Sequence, residues 1–208
     1  QMSGGQYSVP IVFRGPNGTA GQLAATHSQS YESLYASMPG LKVVTPFTPY
    51  EGKGLLKSAI RDNDPVLIMG SEKMYGDKGM IPEGEFLVPI GKANIRRKGD
   101  NVTIVSFGKI LKDVHAAADE LAKQGIEAEI IDARTLVPFD YDTVLASVAR
   151  TGRLMIVSEA VERGSFANTI AANVTRLAFA DLKAAPIVLG APNWIAPGAD
   201  MEDTYAPQ

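Results

Sequence analysis

Short continuous apolar runs recur along the chain, and segments of helical periodicity separate them. Val9-Pro10-Ile11-Val12-Phe13, Leu41 to Val44, Pro65 to Met69, Val102 to Phe107, Ala128 to Ile131, Leu154 to Val157 and Ile187 to Leu189 carry few or no polar positions on either alternating face. A strand with one wet face alternates apolar and polar residues; a strand without that alternation is covered on both sides. Between the runs, Leu55, Leu56, Ala59 and Ile60 stripe a helix over Gly52 to Arg61, and Ile110, Leu111, Val114, Ala118 and Leu121 stripe another that Gly125 closes. Tyr31 to Ala36, Tyr141 to Val148 and Phe166 to Leu182 read as further helices. Strands alternating with helices predict α/β architecture with parallel sheets, because a parallel pair needs a crossover long enough to hold a helix.

The pattern stops between Gly70 and Gly91, where Gly, Pro and charged residues take over, so two α/β units joined by a surface segment are expected. At 208 residues a folded chain hides roughly 70% of the surface its unfolded form exposes, enough for two small units. Lys and Arg number 20 against 23 Asp and Glu, so there is no basic excess to draw the chain to nucleic acid. Cysteine is absent, which excludes disulfides, thiolate nucleophiles and cysteine-ligated metal or iron–sulfur centres. No apolar run approaches the roughly 18 residues of a membrane-spanning helix. Gln1 is not an initiator and an apolar run follows within a few residues, so the chain is expected to start inside a larger protein.

Imidazole chemistry has two candidates, His27 and His115. His115 lies beside the apolar stripe of its helix and reads as structural. His27 follows the loop Gly15-Pro16-Asn17-Gly18-Thr19-Ala20-Gly21, which closes a strand, and strand-end loops are where open α/β sheets bind ligands. The alternative is that Thr26 or Ser28 caps the next helix and His27 is a bystander. The glycines match neither a dinucleotide fingerprint nor a P-loop. Asp62-Asn63-Asp64 opens like a calcium loop but lacks its glycine and its closing glutamate. Glu159 ends a strand, where it either faces a cleft or serves as a surface or capping carboxylate. Trp194 reads as a packing anchor.

Several tracts together carry a family resemblance. Met2-Ser3-Gly4-Gly5-Gln6, Pro10-Ile11-Val12-Phe13-Arg14-Gly15-Pro16-Asn17-Gly18 and His27-Ser28-Gln29 resemble the beta subunits of thiamine-dependent 2-oxo acid dehydrogenases in the transketolase-like family. Pro39 to Val44, Lys53 to Asp62, Met74-Tyr75-Gly76, Val102 to Ser106 and Asp132 to Leu136 are similar to the same family in the same order. Ser158-Glu159 stands where that family commonly shows paired glutamates. The resemblance implies the C-terminal half of a pyrimidine-binding parallel-sheet domain over residues 1–75, a linker over 76–91 and a three-layer α/β/α transketolase-type domain over 92–208.

The first tract looks like the pyruvate-specific members. The implied activity is then oxidative decarboxylation of pyruvate with acetyl transfer to a lipoyl group, with branched-chain 2-oxo acid or acetoin dehydrogenases, or a non-catalytic subunit-docking module, as alternatives. The implied partners are an alpha subunit in an alpha2beta2 assembly and a dihydrolipoyl acetyltransferase core, with no nucleic acid and no membrane. The compartment is the cytoplasm in a bacterium, or the mitochondrial matrix or a plastid in a eukaryote. The implied cofactors are thiamine diphosphate and Mg2+ held by the alpha subunit. The glutamate that activates the cofactor belongs to a family segment upstream of this chain, so the chain alone is expected to be inactive. His27 is the implied catalytic residue. Main-chain oxygens of Ile11, Ala59, Ile60 and Asp62, with Asp64, are the implied ligands of K+.

Overall fold

The computed structural model describes residues 4–198 together with 201, 204 and 205. The start of the Met2-Ser3 tract therefore lies outside the described residues. Two sheets organise the molecule. The first contains β1 (Val12–Pro16), β2 (Lys42–Val44), β3 (Val66–Gly70) and β7 (Thr135–Val137) in the order β1-β3-β2-β7. The second contains β4 (Asn94–Arg97), β5 (Val102–Ser106), β6 (Ala128–Asp132), β8 (Leu154–Val161) and β9 (Ile187–Ala191) in the order β4-β6-β5-β8-β9.

The apolar runs pair in parallel as expected. Val12 stands opposite Val66, Lys42 also opposite Val66, Val102 opposite Ala128 and Thr103 opposite Leu154. Both sheets nevertheless carry one antiparallel edge, β2 with β7 and β4 with β6, so neither is purely parallel. β4 and β7 are short, and Asn94-Ile95-Arg96-Arg97 carries one apolar residue in four, so continuous apolarity does not reveal them. β1 begins at Val12 rather than Val9.

Helices cover both faces. α2 (Pro49–Ile60) starts before the expected Gly52 because Thr48 and Glu51 form a reciprocal capping box with Pro49 in the first turn. Its Leu55 and Ala59 pack on Val44, Val66 and Ile68 of the first sheet. α3 (Leu111–Ala122) sets Leu111, Val114 and Ala118 against Ile104, Ile130 and Val157 on one face of the second sheet. α4 (Tyr141–Thr151) and α5 (Phe166–Leu177) cover the other face, completing three layers. Gly152 ends α4 at φ 72°, a left-handed conformation that glycine adopts without steric cost.

The largest core cluster is shared between the sheets. Val43, Leu67 and Met69 of the first meet Val105, Ile131, Leu154 and Ile156 of the second, together with Val144, Val148, Ile170 and Val174 from α4 and α5. Fully burying a side chain of this size contributes roughly 1.5–3 kcal/mol, so the two sheets stabilise one another through many such terms. Among the described residues, no helix is long and apolar enough to cross a membrane.

Candidate active site

Residues just after β1, β3 and β5 meet Glu159 of β8 around one cleft lined by Asn17, Gly70, Ser71, Gly108 and Lys109, and the loop from Asn17 to Tyr31 reaches Glu159 and Lys109 through Thr19. It closes on itself through Asn17. The Asn17 backbone N–H donates to the Gly70 carbonyl at 2.7 Å, its Nδ2 donates to Glu32 Oε2 at 2.7 Å, and its Oδ1 accepts from the Tyr31 N–H at 2.7 Å. The Gly18 N–H donates to the Gln29 carbonyl at 3.0 Å. Glu32, in the first turn of α1 (Glu32–Ala36), is 1% exposed. Burial pushes its carboxyl above the ordinary range, and the charge of nearby Glu159 adds to this.

Across the junction, the Thr19 hydroxyl donates to Glu159 Oε1 at 2.8 Å and accepts from Lys109 Nζ at 2.6 Å. Lys109 and Glu159 are 2.9 Å apart. The backbone passes close to that carboxylate at Gly18, where a Cβ would stand 2.9 Å from Glu159 Oε2 and where φ is +80°. The positive φ favours glycine there, and a Cβ would push the end of the Glu159 side chain aside. Farther along, Gln22 and Ala24 have φ of 68° and 58°, conformations costly for residues with a Cβ. Such strain persists only where surrounding contacts hold it.

His27 follows the short 3-10 turn Ala24–Thr26 and is exposed, with its N–H on the Ala24 carbonyl at 3.2 Å. The capping alternative is not what the chain adopts. Tyr31 occupies the N-cap of α1 without a side-chain bond, the Thr26 hydroxyl donates back to the Leu23 carbonyl, and Ser28 Oγ accepts from the Ala20 N–H. His115 is half-buried and stacked on Phe47, and burial with the nearby Arg96 charge holds its pKa below the usual value. Glu159, one of two open readings in the sequence, faces the loop rather than solvent. Trp194 is 62% exposed and does not anchor packing in this chain.

The residues that the resemblance implies for K+ lie on β1's approach, the end of α2 and the turn before β3. The Val66 N–H donates to the Ile11 carbonyl at 2.9 Å and the Asp62 N–H to the Ala59 carbonyl at 3.2 Å. Lys42 Nζ sits 2.7 Å from Asp62 Oδ2 and 3.0 Å from Asp64 Oδ2. Burial would lower the Lys42 pKa, and its two carboxylates outweigh it and raise it. Sequence reasoning missed this ammonium because it arrives from β2, 20 residues earlier.

A second charged cluster links α2 to the second sheet. Glu51 of α2 pairs with Arg96 of β4 and with Arg134, and Arg96 Nη2 also meets Asp132 Oδ2 at 2.8 Å. Glu51 and Asp132 are both 0% exposed. Burial alone would raise the Glu51 carboxyl, but the two guanidiniums outweigh it and hold it below its usual range. Burial and the Glu51 charge push Asp132 up to about 6.

This arrangement, a strand-end loop at the meeting of two α/β sheets, belongs to a known class. Residues 1–78 match the family described as transketolase, pyrimidine binding domain, and residues 91–208 match transketolase, C-terminal domain. The chain belongs to the transketolase family. It is 50% identical over 206 residues to the pyruvate dehydrogenase E1 component subunit beta of Rhizobium meliloti, covering 99% of this chain and 43% of that protein. It is 47% identical over 207 residues to the acetoin:2,6-dichlorophenolindophenol oxidoreductase subunit beta of Cupriavidus necator, covering 99% of this chain and 61% of that protein. A split-gene transketolase described as an inactive beta4 tetramer superposes with a TM-score of 0.76 at 20% identity, over 95% of this chain and 62% of its own. The chain thus spans about half the length of the curated relatives it matches.

Proposed function

We propose that the chain forms the beta-subunit part of a thiamine diphosphate-dependent pyruvate dehydrogenase. In this reading it acts with an alpha subunit in an alpha2beta2 assembly and passes acetyl to the lipoyl group of a dihydrolipoyl acetyltransferase core. The observation that carries the reading is 50% identity to a pyruvate dehydrogenase E1 beta subunit across nearly the whole of this chain. Thiamine diphosphate, when bound, supplies the carbanion chemistry of decarboxylation. Mg2+ on a diphosphate is held by one or two carboxylates together with phosphate and water oxygens. The proposal leaves that group to the alpha subunit. His27 donates or accepts a proton at the pyruvate carboxylate, the reaction intermediate or the lipoyl group. Gln22 and Ala24 stand at positive φ in the loop that carries it.

The oxygen-only set of Ile11, Ala59, Ile60, Asp62 and Asp64 suits a hard monovalent cation, and K+ belongs to the same proposal. Lys42 already pairs with both carboxylates, so the ion would share Asp64 with that ammonium and take its remaining oxygens from the main chain. The compartment follows the source: cytoplasm in a bacterium, mitochondrial matrix or plastid in a eukaryote.

The 47% identity to an acetoin-oxidising beta subunit favours a second reading in which acetoin replaces pyruvate. Coexpression of the whole beta subunit that contains these residues with an alpha subunit, followed by reduction of an artificial electron acceptor with pyruvate, acetoin or branched-chain 2-oxo acids, separates the two. Turnover with pyruvate above the others is expected; preference for acetoin assigns the second reading, and no turnover with any of them removes both.

A further inference from the structure

We propose that Lys109 and Glu159 are positioning residues that hold the His27 loop in register with the second sheet. The inference rests on the reading of His27 as an active-site group. The loop is fastened in several ways. Asn17, Glu32 and the Gly18–Gln29 bond tie its ends together, and most of these bonds stay within 15 residues of sequence. They fix its outline, the Asn17 N–H ties its start to the Gly70 carbonyl of β3, and Leu23 bridges Gly198, while the bond from Glu32 to β8 is a long one, Ser158 Oγ to Glu32 Oε1 at 3.4 Å.

Thr19 supplies the strong cross-junction contact. Its hydroxyl is shared between Lys109 Nζ at 2.6 Å and Glu159 Oε1 at 2.8 Å, partners 90 and 140 residues away. The three groups close a triangle through the 2.9 Å Lys109–Glu159 pair. Thr19 is 4% exposed, and the two charged side chains are 15% and 11% exposed. Water therefore competes weakly for these bonds, and charge-assisted hydrogen bonds in such surroundings are the strong ones.

Lys109 lies in the turn after β5 and Glu159 in β8, neighbouring strands of one sheet, so the pair presents a fixed charged fork. Gln22 and Ala24, both at positive φ, lie between Thr19 and His27. A strained backbone relaxes toward ordinary conformations once its restraint is lost, and relaxation here would carry His27 with it. Gly18 gives the same evidence from the backbone side, because a Cβ would meet the Glu159 carboxylate at 2.9 Å. The loop is built to lie against that carboxylate.

The test needs no cofactor. Hydrogen exchange followed by mass spectrometry reads protection of peptides from 17–31, and diethyl pyrocarbonate reads the reactivity of His27, with half-buried His115 as internal reference. Lys109→Met and Glu159→Gln are each expected to speed exchange in 17–31 by about tenfold, leave α5 unchanged, and alter modification of His27 but not of His115. Lys109→Arg should restore the wild-type pattern. Unchanged exchange in 17–31, or an equal rise in α5, overturns the proposal. If Lys109→Met does not fold, Glu159→Gln, which keeps the shape, decides alone. In the assembled enzyme, Lys109→Met should lower kcat with KM for pyruvate held, and its effect should not add to that of His27→Ala; full additivity overturns it. A His27→Ala enzyme with normal turnover would remove the catalytic reading of His27, while a localised response of the loop would still establish the positioning contact.

Discussion

His27 is exposed on a loop whose neighbours are buried, Thr19 at 4% and Ser28 at 1%, so its side chain can be removed without opening a core. His27→Ala should therefore leave the melting temperature of the chain within a degree or two, since exposed substitutions usually stay within ~0.5 kcal/mol. In the assembled enzyme the same change should lower turnover with a lipoyl acceptor by roughly 10²- to 10⁴-fold, the usual worth of a positioned acid–base group. Steady-state assays with free lipoyl domain check this, and wild-type turnover would leave the residue without a chemical role. His27 could be singled out from the sequence because a glycine-rich loop after an apolar run is a local pattern. Lys109 could not, since the lysine gains its meaning from Thr19 and Glu159, neither of them near it in sequence.

At the scale of single elements, α2 shows how local chemistry sets a boundary. The capping box of Thr48 and Glu51 moves the helix start to Pro49, and Glu51 does a second job by facing Arg96 and Arg134. The other end of α2 presents its last carbonyls where the helix dipole is negative, which favours a cation. Replacing a bulky organic cation with K+ at constant ionic strength should raise the melting temperature, by an amount equivalent to roughly 2.7 kcal/mol at a hundredfold excess over the dissociation constant. Asp64→Ala should weaken this response. It should cost little else, because Asp64 is 62% exposed and exposed ion pairs contribute about 1 kcal/mol or less. Coincident melting curves in the two salts would show that Lys42 alone serves this corner.

The whole molecule is held at its junction by a shared core and by the buried cluster of Glu51, Arg96, Asp132 and Arg134. Asp132, pushed up to about 6 from 3.8, binds a proton more tightly folded than unfolded. Between about pH 4 and pH 6 the folded state therefore holds the extra proton, and stability contributed at this site falls as pH rises through that window. Asp132→Asn removes the titration. The variant should gain on the wild type by up to about 3 kcal/mol between pH 4 and pH 6, whatever constant cost the lost ion pair adds. Urea denaturation at several pH values measures the difference, and parallel curves for the two proteins would show that Asp132 does not titrate in that range.

The sequence by itself determined the strands buried on both faces, the helices between them, the α/β class and the loop that carries His27, because each depends on periodicity and turn chemistry within a dozen residues. It did not contain β4 and β7 in legible form. Asn94–Arg97 is mostly polar, and Thr135–Val137 is three residues long; both become strands only because β6 and β2 offer them open edges. The tertiary structure alone decided that the second half of the chain lends β7 to the first sheet. It also decided that Lys42 occupies the Asp62–Asp64 corner, that Glu159 and Lys109 meet Thr19, and that Glu51 faces Arg96 and Arg134. Hydrogen bonds and ion pairs act over about 3 Å in space, whatever the separation along the chain, and in one sequence without its fold nothing marks which distant charges will come that close.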